Sequence, residues 1–206
     1  MAERAAGSVA RTRNRWGEGE RLRGEILEAA SGLLSELGDE EGLSIRGVAR
    51  ATGIAPASIY PHFSDRDALM AGLLVHERDR LSSLLERAAA VADQSDPVEQ
   101  VRAQLYAYCD FAVANPGHYR ILFRRRAQAP SDSSTSALQD ILSRFVVTFE
   151  RCERAGYKLR LPTRRAATMV FVAAHGRVAL FHGNPTERSA SLLRPFIDEL
   201  VSLVVE

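Results

Sequence analysis

Between Ser44 and Phe63 the chain reads SIRGVARATGIAPASIYPHF, and this stretch limits the possible folds more than any other. Ile45, Val48 and Ala49 recur at spacings of three and four, which places them on one helical face. Ser44 precedes them, where a hydroxyl can accept from an orphaned backbone N–H. Gly53 follows, where a left-handed residue ends a helix without a Cβ penalty. Pro56 suits the first turn of a second helix, because its missing N–H is not needed there. Ile59 and Phe63, four apart, then face inward. The pattern predicts two short helices about a glycine turn, one from about Ser44 to Thr52 and one from Pro56 through Phe63. Small Ala49 lets them cross closely. Such a unit is either a helix-turn-helix or an ordinary corner between two helices, and the local pattern leaves both open.

Charge is segregated around this motif. Residues 1–17 hold four arginines and one glutamate, residues 18–41 two arginines and eight acids, and residues 42–66 three arginines and one aspartate. The motif is therefore positive and its support acidic, which favours docking on phosphates from one side. The overall charge of +1 carries no such information. Residues 1–19, with Arg4, Arg11, Arg13 and Arg15, read as a basic arm, either suited to phosphates or a minor groove or simply an unstructured terminus. Trp16 is a candidate to dock it.

Every other segment reads as helix. Leu22, Ile26, Ala29, Leu33 and Leu37 form one apolar stripe on a helix from about Gly19 to Leu37, ended by Gly38. Ser64 is the expected N-cap of a long helix that reaches about Ala92. Asp93–Pro97 is the clearest break in the chain. Helices follow over about Pro97–Ala114, a short piece around His118–Phe123, Thr135–Ala155, Thr163–His182 and Thr186–Val204, with a polar loop from Ala129 to Ser136. The triple arginine Arg124–Arg126 reads as a nucleic-acid patch or, in better agreement with its distance in sequence from the motif, as a solvated helix end. The last two helices are apolar too far around to be covered by one neighbour. Pairing with a twofold mate in a four-helix bundle is the economical solution. The expected organisation is all-α: an arm over 1–19, a helix-turn-helix head over 20–66, and a helical ligand-binding and dimerisation body over 67–206.

Several function classes lack their signatures. There is no Gly-Lys-Thr/Ser phosphate loop, no Gly-x-Ser-x-Gly elbow and no metal-spaced cluster, so neither catalytic residues, a cofactor nor a metal is expected. Cys109 and Cys152 lie far apart in helical contexts, as buried free thiols do. No signal peptide is evident, and the apolar run Ala166–Ala174 is too short to span a bilayer. A cytoplasmic protein without membrane contact is the expectation.

The motif resembles the DNA-binding head of TetR-type transcriptional regulators. The matching residues are Ser44, Arg46, Val48-Ala49, Thr52-Gly53-Ile54-Ala55, Tyr60-Pro61-His62-Phe63 and Arg66, within residues 20 to 70. Two departures are Ala55, where a capping serine is usual, and Gly47 inside the first motif helix. Each costs roughly 1 kcal/mol of helix stability in general. The later part resembles a recurrent ligand-binding domain of the same family through Pro116-Gly117-His118-Tyr119-Arg120. A partial second match is His175-Gly176, with Phe171 or a neighbour in place of tryptophan.

The resemblance implies a ligand-responsive repressor that binds a palindromic double-stranded DNA operator as a homodimer through its last two helices. The alternative is a helical dimer that binds a small molecule or a protein without DNA. On the family pattern Ser44, Arg46, Tyr60, His62 and Arg66 are candidates for phosphate contact, and Pro56, Ala57 and Ser58 for base contact. Tyr106, Phe111, Phe145, Phe149 and His175 are candidates to line a small-molecule effector pocket, or to be plain core aromatics.

Overall fold

The computed structural model describes residues 18–123 and 133–206. Residues 1–17 of the basic arm, Trp16 among them, and the triple arginine lie outside the described residues, as does the Leu138 side chain, whereas Glu18 and Gly19 already belong to the first helix. The helices are α1 (Glu18–Leu37), α2 (Ile45–Thr52), α3 (Arg66–Val91), α4 (Pro97–Ala114), α5 (Pro116–Phe123), α6 (Ser133–Arg154), α7 (Thr163–Gly183), α8 (Glu187–Ser191) and α9 (Leu193–Val204), with a 3-10 turn at Pro56–Ser58. Among the described residues the only β-pairing is an isolated antiparallel bridge between Leu159 and Val205, which pins the C-terminus to the α6–α7 link.

Two apolar cores form. The head core gathers Ile26, Leu27 and Leu34 of α1, Val48 and Ala49 of α2, Ile59, Phe63 and the first turns of α3. The body core is built around α4, whose Val101, Leu105, Tyr108 and Ala112 meet α3, α6, α7 and α9. α3 belongs to both, with Leu69, Met70 and Leu73 in the head and Leu81 and Leu85 in the body. Ile121 of α5 packs in the head core, whereas Tyr119, Leu122 and Phe123 of the same helix pack in the body core.

Four expectations need correction. The buried face of α1 is Ile26, Leu27, Ala30, Ser31 and Leu34, turned by about one residue from the expected stripe, and Leu37 is 46% exposed. The cause is that α1 is covered by α2 on one side and by α3 and α5 on the other. Asp65 rather than Ser64 caps α3: its carboxylate accepts from Ala68 N at 2.8 Å, and the Ser64 hydroxyl donates to that same carboxylate. An aspartate accepts more strongly here and complements the helix dipole. α6 starts at Ser133, inside the segment expected to be loop. The last helix is broken at Leu192, because Pro195 has no N–H for the carbonyl four residues earlier and its ring clashes with that carbonyl.

Head and body touch through α5. A methyl group at Gly117 would meet Leu34 O at 2.9 Å and Gly38 C at 3.1 Å, both backbone atoms that cannot swing aside. Arg120 Nη1 donates to Gly38 O at 3.2 Å. Gly117→Ala is therefore expected to lower stability by about 1–2 kcal/mol, the overpacking cost outweighing the gain in helix propensity of about 1 kcal/mol. Urea unfolding checks this as a lower midpoint at unchanged slope.

Candidate nucleic-acid interface

α2 is closed at both ends by its own sequence. Ser44 Oγ accepts from Gly47 N at 3.1 Å, and Gly53 adopts φ 75°. Gly53 N then donates to Arg50 O at 3.2 Å and Ile54 N to Ala49 O at 2.9 Å, the paired bonds of a Schellman end. A Cβ at residue 47 would lie 3.2 Å from the capping hydroxyl, which gives the helix-weakening glycine a local reason. The Ser44 hydroxyl keeps its own hydrogen for an outside acceptor.

The second half of the motif is less regular than expected. Only Pro56–Ser58 forms a 3-10 turn, and Ala55 supplies no side-chain cap. Ser58 N, Ile59 N and His62 N each donate three residues back, and only Phe63 N donates four back, to Ile59 O at 3.0 Å. Without a side-chain acceptor at residue 55 the first amides are satisfied by the tighter pattern. Anchoring falls to the inward residues. Ile59 is fully buried, and Phe63 is wedged between Arg23, 5.0 Å above its ring, and Gly72, where a Cβ would approach Phe63 Cε1 to 2.6 Å. Only glycine lets α3 pass that close.

The outward residues of the motif lie at its surface. Arg46 on α2 and Pro56, Ala57 and Tyr60 after the turn are exposed, with the Tyr60 ring 55% accessible. Ser58 and His62 are half-buried at its edge. Arg66 differs from the rest. Its Nε donates to Leu43 O at 2.8 Å and its Nη2 to Glu40 O. This guanidinium clamps the α1–α2 link to α3 and has fewer N–H groups left for phosphate.

The five aromatic candidates do not converge. Tyr106 lies at the α4–α9 surface, where its hydroxyl donates to Asp198 and Arg194 sits 4.7 Å over its ring. Burial and the Asp198 carboxylate push its pKa up to about 12. Phe111 faces His118 at 6.3 Å, and Phe149 is fully buried in the body core. Phe145 and His175 do share a cluster, linked through Phe171 at 5.6 and 6.0 Å. That cluster also contains Tyr108, Tyr119, Phe123 and His182, which sequence reasoning missed. Tyr119 and Phe123 stand four apart on α5, and Phe171, His175 and His182 stand four and seven apart on α7, a helical-face signal that was present. Tyr108 Oη and His175 Nδ1 lie 2.6 Å apart. Burial holds the His175 pKa below the ordinary histidine value, so the ring is neutral near pH 7. Two surface grooves, of about 430 Å³ between α3 and α6 and about 470 Å³ beside the C-terminus, contain none of these rings. Among the described residues no group of His, Cys, Asp or Glu could hold a metal, and no helix is long and apolar enough to cross a membrane.

Comparisons agree with this geometry. The family model for bacterial regulatory proteins of the tetR family matches residues 26–73. The model for the tetracyclin repressor-like C-terminal domain matches residues 101–203. A protein of unknown function from Rhodococcus sp. RHA1 superposes with TM-score 0.73 at 24% identity, over 94% of this chain and 100% of that one. The fatty acid degradation regulator FadR from Bacillus halodurans gives TM-score 0.68 at 18% identity over 91% and 97%. A TetR-family transcriptional regulator from Rhodococcus sp. gives 0.68 at 17% over 89% and 98%. At these identities the solved structures support the fold, and the two family models, one on the head and one on the body, assign the family. The chain belongs to the TetR family of bacterial DNA-binding transcriptional regulators.

Proposed function

We propose that this protein is a repressor that binds a palindromic operator as a homodimer and leaves it when a small molecule occupies the body. The observation that carries the reading is the division of the motif into an anchored and an open side. Ile59 and Phe63 hold it from within, and Arg46, Pro56, Ala57 and Tyr60 are each exposed outside. Arg46, Tyr60 and the Ser44 hydroxyl fit phosphate oxygens, with His62 beside them. Ala57 and Pro56 fit thymine methyls, and Ser58 offers one hydroxyl. With such short base-facing side chains, phosphate contacts and dimerisation carry much of the affinity.

Dimerisation is supported by two apolar stripes. Met169, Val172 and Leu180 on α7 are 51%, 59% and 70% exposed, and Leu192 at the break before α9 and Leu203 on α9 are 44% and 67% exposed. α7 packs against α9. Gly176 lies within the α7 stripe with nothing within 4 Å of a Cβ placed on it, which leaves room for a partner helix. Effector binding is assigned to the ring cluster about Tyr108, Tyr119 and His175, since α5 contacts this cluster on one side and the head on the other. A ligand preferring a different α5 position would change the spacing of the two heads.

The test is selection of random duplexes by the purified full chain. A palindrome with half-sites about one helical turn apart is expected. Tyr60→Ala and Arg46→Ala should each weaken binding to it about tenfold, the scale of a lost bond to a charged group, and Arg46→Ala, which removes a cation, should also lower the salt dependence. Failure to enrich any palindrome, with retention indifferent to salt, would leave a dimeric ligand-binding or protein-binding module instead.

A further inference from the structure

Where head and body meet, polar side chains are enclosed. Glu77 of α3 and His118 of α5 are fully buried, and Ser31 of α1 is 3% exposed. His118 Nε2 lies 3.1 Å from Ser31 Oγ and 3.6 Å from Glu77 Oε1. Arg80 reaches in from the rim: its Nη1 donates to Ser31 Oγ at 3.2 Å and lies 3.5 Å from Glu77 Oε2. The cluster is left short of partners. Neither carboxylate oxygen of Glu77 nor Nδ1 of His118 has a hydrogen-bond partner. Groups enclosed this way are costly, and an apolar trio of the same volume would often be no less stable. Stability alone therefore gives no reason for a carboxylate and an imidazole at this point.

We propose that Glu77 and His118 are positioning residues for operator binding, and that proton uptake by this buried pair loosens the docking of α5 on α1 and so frees the head to shift against the body. The proposal rests on the DNA-binding reading above.

The charge pattern around His118 supports a junction that tolerates one protonation state better than the other. From α3, Glu77 favours an imidazolium, whereas Arg80 and His76 oppose it. From α1 the near group is the uncharged Ser31, and Glu28 is occupied 3.4 Å from His76. From α4 only the Phe111 ring faces it, 6.3 Å away. Burial is the largest influence and holds the His118 pKa below the ordinary value of 6.5. A histidine whose pKa is lower docked than solvated stabilises docking above the solvated pKa. That contribution is lost as pH falls from about 6.5 towards the docked value. Acid therefore favours a state in which α5 has moved and His118 meets water. α5 is suited to transmit the change, because its Tyr119 ring lies 5.5 Å from His175 and 4.7 Å from His182 of α7. A loosened head forfeits the preorganised spacing that two half-sites require, so binding weakens.

Two measurements on the full chain test this. The first is affinity for the duplex enriched in the selection, followed by fluorescence anisotropy between about pH 8 and 5.5, a range that brackets the histidine pKa. The second, without DNA, is amide hydrogen exchange in residues 34–38 over the same range, corrected for the intrinsic rate. Relative to His118→Gln, the wild type should lose affinity as pH falls, by about tenfold for each pKa unit between docked and undocked His118. Its exchange should accelerate where that of His118→Gln does not. His62 and His76 are present in both proteins, so the two differ only at residue 118. Glu77→Gln should deepen the loss of affinity on acidification, because it removes the group that favours the imidazolium in the docked state and so widens the gap between docked and undocked His118. It also carries the test if His118→Gln does not fold, an acid loss no deeper than that of the wild type then overturning the proposal. Parallel profiles for wild type and His118→Gln in both measurements overturn it as well. If the wild type enriches no duplex, the DNA-binding reading fails, and the exchange profiles still decide the junction.

Discussion

Val172→Glu is expected to yield a monomer and to weaken operator binding by about 1,000-fold, the scale set by losing the effective concentration of a second tethered head. The side chain is 59% exposed in the single chain, so the substitution should change the stability of the isolated fold by only about 0.5 kcal/mol or less. In a twofold bundle of α7 and α9 the same glutamate would be enclosed twice, once per copy, without a counter-charge in the apolar stripe. Light scattering after gel filtration reads the mass, circular dichroism reads the helix content, and anisotropy on the selected duplex reads binding. A dimer that persists at full affinity would place the interface on another face. Val172 distinguishes these cases better than Leu200 or Val201, which are buried within the chain and would unfold it on the same change.

The second large effect is expected at Phe145→Ala, a loss of about 3–5 kcal/mol. Phe145 is 1% exposed and its ring stacks on Phe171 at 5.6 Å and 28°. Its removal leaves a void between α6 and α7 that the packed helices cannot close. For a chain of this size the melting temperature should fall by roughly 10 °C. Tyr106→Ala supplies the contrast. Its ring is half-buried at the surface and its hydroxyl meets Asp198, so a smaller loss is expected there. If Phe145→Ala instead left the melting temperature near the wild-type value, Phe145 would line an open pocket rather than fill the core.

These two residues show how much of the site was legible. Phe145, Phe149 and Tyr106 look alike in the sequence, each an aromatic on an amphipathic helix. Whether such a ring fills a core, borders a cavity or lies on the surface depends on the helix packed opposite, which no local pattern encodes. Arg66 makes the same point. Its place three residues beyond Phe63 matches the family, but its guanidinium is drawn to the carbonyls of Glu40 and Leu43, more than twenty residues earlier. The motif itself was far more legible because its geometry is local. Ser44, Gly53 and Ala49 act on backbone atoms within five residues of themselves, and the cap and the left-handed turn follow directly. The exception within the motif is instructive. A helix through Phe63 was expected, and the missing acceptor at Ala55 leaves a 3-10 turn instead.

The sequence by itself therefore determined the all-α class, the helix-turn-helix with its inward Ile59 and Phe63, the break at Asp93–Pro97 and the family. Each depends on periodicity, capping and glycine or proline chemistry over a few residues. The tertiary structure alone decided which face of α1 is buried, which aromatics meet, and that Glu77, Ser31 and His118 come together from three helices. Those outcomes depend on contacts between residues as many as 87 positions apart, whose energies exist only once the helices have docked. The motif retains its outline after that docking, but the least regular part of it is the part that exposes Pro56, Ala57 and Tyr60.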